Sequence, residues 1–307
     1  MRSINLQISA LVAALFLLTY TTSCSVSKKA GKDIRSEKAL LWEIKVPGAK
    51  SPSYVFGTIH LIDKENFFLP AGTMTAFDKS QKVFFEIDMA DMNDMSAMMG
   101  LMDKLLMKDG KSLQDLLSST DYEKVNSFFK SKGLPLMFLE RMKPMFLTVL
   151  TYGDMKPGAL QSGDMKSYEF EFMEMANETK KPIAGLETIE FQIGVFDKIP
   201  YETQAKMLVD AIDQSSGTDD EFAKMVALYK QQDIDALVTS IGESESGLGD
   251  FEDILLHERN KNWIPIIIEE AKKQPGFFAV GAGHLAGKYG VLNLLKEQGV
   301  VVKPVKE

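Results

Sequence analysis

Tyr54-Val55-Phe56-Gly57-Thr58-Ile59-His60 and Phe277-Phe278-Ala279-Val280-Gly281-Ala282-Gly283-His284 share one local pattern, a short apolar run followed by Gly-x-x-His. Each run reads as a buried strand. A glycine at the end of a strand permits a tight turn and close backbone approach. A histidine three residues later then looks out over the end of a sheet, where α/β proteins build their sites. The chain has three histidines, and two of them occupy this setting, one towards each end of the sequence. The third, His257, lies within a long helical pattern and reads as a partly exposed helix residue.

The flanking sequence extends the alternation of strands and helices. Leu40 to Val46 alternates as a strand, 47–52 is a Pro/Gly turn, and Tyr54 to Phe56 returns to close a hairpin. A helix is predicted from Leu69-Pro70 through about Lys79. Lys82 to Asp88 is a further buried strand with acids at its exit. Glu86 follows three consecutive apolar residues, where a carboxylate is costly unless it is paired or coordinates something. Met89, Met92, Met95, Met98, Met99, Met102 and Met107 follow at helical spacing and read as a soft packing stripe, with a hydrophobic lid or a thioether copper site as functional readings.

From Ser112 to about Pro200 the pattern is largely helical, with helices over Tyr122 to Lys132, Phe138 to Tyr152 and Tyr168 to Thr179. Lys181 to Thr188 is a short strand leaving Glu187 at its end. Helices are expected over Tyr201 to Gln214, Asp219 to Ser240, Phe251 to Lys273 (kinked at Pro265) and Leu285 to Gln298, before a closing strand at Val300-Val301-Val302. The Gly-x-Gly at Gly281 does not lead into a dinucleotide fold, because the chain ends too soon after it.

The 307 residues are 45% hydrophobic and 25% charged, enough apolar material for a sizeable core. The net charge of -8 and the lack of a long basic block argue against a nucleic-acid partner. The single cysteine, Cys24, excludes an intrachain disulfide. It follows Arg2, an apolar stretch from about Ile8 to Tyr20, and the small residues Thr21-Thr22-Ser23. That is the layout of a secretory signal peptide, and the apolar run is short of the ~20 residues a membrane span needs. A cysteine after small residues resembles a bacterial lipobox, with Thr21 in place of the preferred leucine. The expectation is a signal peptide over 1–23, lipidation of Cys24, a Lys-rich tether over 24–38 and one folded domain over 39–307. The protein is then lipid-anchored in the bacterial cell envelope, periplasmic or outer-membrane associated.

Five motifs in order resemble the TraB/GumN family, whose animal relatives include the Tiki proteases. They are Gly57-Thr58-Ile59-His60; Phe85-Glu86-Ile87-Asp88; Gly185-Leu186-Glu187-Thr188 with Gln192; Glu258-Arg259-Asn260 with Trp263; and Val280 to Gly287 with Gly290. They span nearly the whole mature chain. The resemblance implies an α/β domain of the erythromycin-esterase/ChaN-like kind, with a central mixed β-sheet, surrounding helices and a large helical insertion. It also implies that the paired Gly-x-x-His motifs and a strand-end glutamate meet at one site. Tiki-like members are metal-dependent proteases using manganese or cobalt.

Two neutral imidazoles and a carboxylate can hold a divalent cation and leave room for water. His60, Glu86 and His284 form that set, giving a membrane-tethered peptidase acting on a peptide or protein. Glu187 is then an outer acid or a general base, and Arg259 holds a substrate carboxylate or steadies an oxyanion. Three other readings stay open. One is metal-free hydrolysis, with His60 as base oriented by Glu86. Another is capture of a peptide or haem without cleavage. The last is a purely structural Glu86–Arg259 ion pair. The sequence does not give the oligomeric state.

Overall fold

Six strands form one mixed sheet in the computed structural model, which describes residues 37–88, 101, 103–151, 163–215, 221–242 and 251–306. The sheet order is β6-β4-β7-β2-β1-β8, where β1 is Leu41–Lys45, β2 Ser53–Thr58, β4 Lys82–Ile87, β6 Ile183–Glu187, β7 Gly276–Gly281 and β8 Val301–Pro304. The expected hairpin is present as β1 antiparallel to β2. β8 pairs with the other edge of β1, also antiparallel. The remaining four strands, β6, β4, β7 and β2, run parallel. All four therefore end on the same edge of the sheet. The two Gly-x-x-His motifs become neighbours there, because Thr58 is paired with Gly281 in the β2–β7 register. A second, two-stranded sheet joins β3 (Ile62–Asp63) to β5 (Met165–Lys166).

Glycine permits the close packing of this edge. A Cβ on Gly57 would lie 3.2 Å from the Ala282 Cα, and one on Gly185 only 2.4 Å from the Asp88 backbone nitrogen. Even an alanine at Gly185 therefore collides with the exit of β4.

The parallel strands are apolar on both faces, as strands covered on both sides by helices must be. Phe56, Phe77, Tyr168, Phe172 and Phe277 form an aromatic cluster, with Phe56 and Phe172 edge to face at 5.0 Å. Burying each such ring is worth about 1.5–3 kcal/mol. A separate core of Leu113, Val125, Phe129, Leu136, Leu147, Leu208 and Ile212 belongs to the helical insertion. Lys143, almost fully buried, is neutralised there by Asp197.

Several expected helices differ in extent. The stretch expected to run from Asp219 to Ser240 is two helices, Glu221–Lys230 and Ile234–Gly242, because Gln232 takes a left-handed conformation at φ 56°. The helix expected from Leu285 begins at Val291, since Gly287 lies at φ 82° and ends the preceding turn. Among the described residues between Phe138 and Tyr152, only Pro144–Val149 is α-helical, with Pro144 at its first turn. The segment over Phe251 to Lys273 starts as a π-helical turn, Asp253–His257, and continues as Glu258–Lys273 with Pro265 inside. Ile189–Phe196 forms its own helix directly after β6. Most of the methionine stripe, Cys24 and the leader lie outside the described residues; Met107 is buried. No helix among the described residues is long and apolar enough to cross a membrane.

Candidate functional site

Glu86 leaves the end of β4 with its side chain almost entirely buried, as does Glu187 at the end of β6. Isolated carboxylates there would be costly. Arg259, in the first turn of Glu258–Lys273, is equally buried and answers both. Its Nη2 donates to Glu86 Oε2 at 2.5 Å and to Glu187 Oε1 at 2.7 Å, while its Nε donates to Glu187 at 2.9 and 3.2 Å. The Gly281 N–H donates to Glu86 Oε1 at 2.9 Å, and Gln192 Nε2 to Glu86 Oε2 at 3.0 Å. Trp263 Nε1 donates to Glu187 Oε2 at 3.0 Å, and its ring lies against the guanidinium. With both acids ionised, two carboxylates and one guanidinium leave a net charge of minus one in a buried place.

Burial works to raise both carboxyl groups, and the neighbours decide the outcome. For Glu86, the charge of Arg259, the imidazoles and the Gly281 N–H outweigh burial and hold it well below the usual carboxylate range. For Glu187, burial and the adjacent Glu86 prevail over Arg259 and Trp263 and push it up.

His284 sits in the turn Ala282–His284 and is buried. Asn260 Nδ2 donates to the carbonyls of His284 and Tyr289, at 3.3 and 2.9 Å, so its Oδ1 is the acceptor facing the imidazole. His284 Nδ1 donates to that oxygen at 2.6 Å. Arg259 Nη1 donates to His284 Nε2 at 3.2 Å, which fixes Nε2 as the lone-pair nitrogen. Burial, with Arg259 close by, lowers this imidazole to about 3 against the pull of Glu86. His284 is therefore neutral at physiological pH.

His60 is the exposed member, with its side chain 73% accessible. Its Nδ1 lies 3.2 Å from Glu169 Oε1. Glu169 opens the helix Tyr168–Glu178 and also accepts from Thr58 Oγ1 at 2.7 Å and Ser167 Oγ at 3.1 Å. Desolvation opposes the imidazolium, but the hydrogen bond and charge of Glu169 outweigh it and push His60 up to about 9. Solvent around so open a ring screens part of that effect.

Sequence reasoning named His60, Glu86, Glu187, Arg259 and His284, and all five lie at the carboxyl edge of the parallel strands. Glu86, Glu187, Arg259 and His284 are joined by direct hydrogen bonds. His60 stands beside them, near enough for Glu86 and Arg259 to act on its charge. Glu187 faces Arg259 and Trp263, which makes it the anchor of the guanidinium. Glu169, Asn260 and Gln192 complete the network. Asn260 and Gln192 fall inside the recognised motifs. Glu169 stands outside them, and an acid in a first helical turn is ordinarily explained by the helix dipole alone. His257 pairs with Asp253 at 2.6 Å.

Among the described residues, no three His, Cys, Asp or Glu side chains already gather as a metal-binding group. The donor chemistry nevertheless fits a divalent ion. Two imidazoles have their Nδ1 atoms engaged by side-chain oxygens, and a buried cluster of net negative charge lies beside them. The guanidinium of Arg259 now bridges Glu86 and His284, so these two residues would hold an ion only with that guanidinium drawn back towards Glu187.

A mixed sheet carrying this acid–arginine cluster between two Gly-x-x-His turns defines an α/β protein with a polar site at its strand ends. The chain belongs to the TraB/PrgY/gumN family, whose family model matches residues 40–304. It is similar to Metalloprotease TIKI2 of Danio rerio, at 23% identity over 89% of this chain and 61% of that protein. It is also similar to Metalloprotease TIKI2 of Xenopus tropicalis, at 22% over 92% and 62%, and to Metalloprotease TIKI1 of Homo sapiens, at 23% over 86% and 61%. The chain thus spans about three-fifths of the length of these relatives. No solved structure matches it.

Proposed function

We propose that this protein is a metal-dependent peptidase, with His60, His284 and Glu86 as the residues that would hold the ion. The observation that carries this reading is the matched anchoring of the two imidazoles. Each has Nδ1 tied to a side-chain oxygen, Glu169 or Asn260, so that Nε2 is the nitrogen turned to the site; on His284 an ion would take the place of the Arg259 N–H that Nε2 now accepts. Metal-ligating histidines are typically oriented in this way by a second hydrogen bond. The similarity to proteins named metalloproteases supports the same reading. A bound divalent ion lowers the pKa of water and polarises a carbonyl; manganese or cobalt is the ion proposed. Arg259 keeps Glu86 ionised and presents a fixed positive charge to a substrate carboxylate or a developing oxyanion. Glu187 and Trp263 hold that guanidinium in place.

The His60–Glu169 pair favours a second reading. His60, oriented by Glu169, acts as the base on a water once deprotonated, so that cleavage rises as pH approaches about 9, and Arg259 stabilises the oxyanion without a metal. One assay separates the two. Peptide cleavage by the soluble domain is measured with chelator, and then with manganese or cobalt restored. The metal reading expects loss and recovery, and the metal-free reading expects no response. Both expect His60→Ala to abolish cleavage, and full activity in that variant overturns both.

We further propose that the lipid on Cys24 tethers this activity to the cell envelope, where it acts on a peptide or protein substrate. The signal-peptide layout of the first residues and the acidic, non-nucleic-acid character of the chain support that placement.

A further inference from the structure

Glu169 lies outside the five motifs read in the sequence, yet it is the most heavily committed carboxylate on the His60 side of the site. One oxygen, Oε1, accepts from Thr58 Oγ1 at 2.7 Å and faces His60 Nδ1 at 3.2 Å, and the other accepts from Ser167 Oγ at 3.1 Å. Its side chain is 15% accessible against 73% for the imidazole it contacts, so a buried group is orienting an open one. Thr58 lies within the first Gly-x-x-His motif itself. Tyr229, fully buried, donates from its hydroxyl to the Gly57 carbonyl at 2.8 Å and fixes the strand end from behind. His60 has little packing of its own to hold it. Its orientation rests on this chain of hydrogen bonds.

We infer that Glu169 is a positioning residue for His60: by engaging Nδ1 it fixes the ring's orientation and, once the ring has lost its second proton, keeps the remaining one on Nδ1 and turns the Nε2 lone pair to the site. The geometry mirrors His284, where Asn260 Oδ1 takes the Nδ1 proton at 2.6 Å. The two Gly-x-x-His turns are thus completed by two unrelated acceptors, a carboxylate and an amide. The consequence for metal binding rests on the proposed peptidase reading, whereas the tautomer does not.

The test uses the full-length protein with nitrogen-15-labelled histidine, at a pH above about 9 so that the His60 ring is neutral. Only three histidines contribute to its spectrum, and a His60→Asn sample identifies the signal of His60. In the wild type, the neutral ring shows a protonated Nδ1 and an unprotonated Nε2. In Glu169→Ala the proton redistributes to Nε2. Glu169→Gln keeps an acceptor oxygen and retains the wild-type pattern. Thr58→Val, which removes one anchor of the carboxylate, gives an intermediate pattern and serves if the alanine variant does not fold. Cobalt affinity, measured by calorimetry on the same proteins, falls about 10–100-fold in Glu169→Ala and stays near wild type in Glu169→Gln. An unchanged tautomer in both Glu169→Ala and Thr58→Val overturns the inference, as does a loss of thermal stability alone. If the wild type takes up no cobalt while the tautomer still responds, the positioning role stands and the metal reading falls.

Discussion

Removing the guanidinium of Arg259 leaves Glu86 and Glu187 buried with like charges and without their cation. Breaking a buried ion pair by deleting one partner costs on the order of 3–5 kcal/mol. Arg259→Ala is therefore expected to lose several kcal/mol in denaturant unfolding, whatever its effect on activity. Arg259→Lys is expected to recover only part of it, because a point charge cannot reproduce donation to both acids and to His284 at once. A lysine variant as stable as wild type contradicts the network described here. His284 makes a separate prediction about pH. Its folded pKa lies near 3 and its ordinary value near 6.5, so between those limits the unfolded chain binds a proton that the folded chain does not. Stability from this group therefore falls as pH drops from about 6.5 towards 3. Glu86, held low, adds a loss in the same direction below the ordinary carboxylate range. His60 has the opposite sign. Its partnership with Glu169 helps below about 6.5 and is lost as pH rises through about 9. Melting temperatures of wild type and His284→Asn across this range check the assignment, the variant being expected to show a shallower decline on the acid side.

At the scale of elements, the site depends on how closely β6 approaches the end of β4. Gly185 is the point of contact, and a methyl group there meets backbone rather than a movable side chain. Gly185→Ala is expected to cost about 1–3 kcal/mol, as overpacking does. It also moves Glu187 relative to Arg259, so activity should fall further than stability alone explains. Measuring the unfolding midpoint and cleavage rate of this variant together tests the point. Gly57 marks the same kind of crossing between β2 and the turn that carries His284. Gly57 was legible in the sequence because it ends an apolar run, whereas Gly185 lies inside its strand and stood out only as part of Gly185-Leu186-Glu187-Thr188. The differences in helix extent were not legible. Gln232 and Gly287 adopt left-handed backbone in positions where composition alone reads on as helix.

For the whole molecule, four parallel strands ending together explain why motifs scattered along the sequence serve one place. The helical insertion has its own core and leaves that edge intact. The proposed envelope tether gives a prediction at this scale. Cys24→Ala is expected to move the full-length protein from the membrane fraction to the soluble one, and unchanged fractionation removes the lipid anchor from the account.

The sequence by itself determined the six strands of the main sheet, the two Gly-x-x-His turns and the five residues of the candidate site, but not the short strands Ile62–Asp63 and Met165–Lys166. Those signals are local: apolar runs, turn glycines, and polar groups placed where burial makes them expensive. Tertiary structure alone decided how those groups are divided among partners. It joined Glu187 to Arg259 and Trp263, gave His284 to Asn260, and brought Glu169 to His60. A hydrogen bond forms between side chains whose backbones the fold carries within reach, and an acid at the start of a helix shows no mark of that in its own neighbourhood.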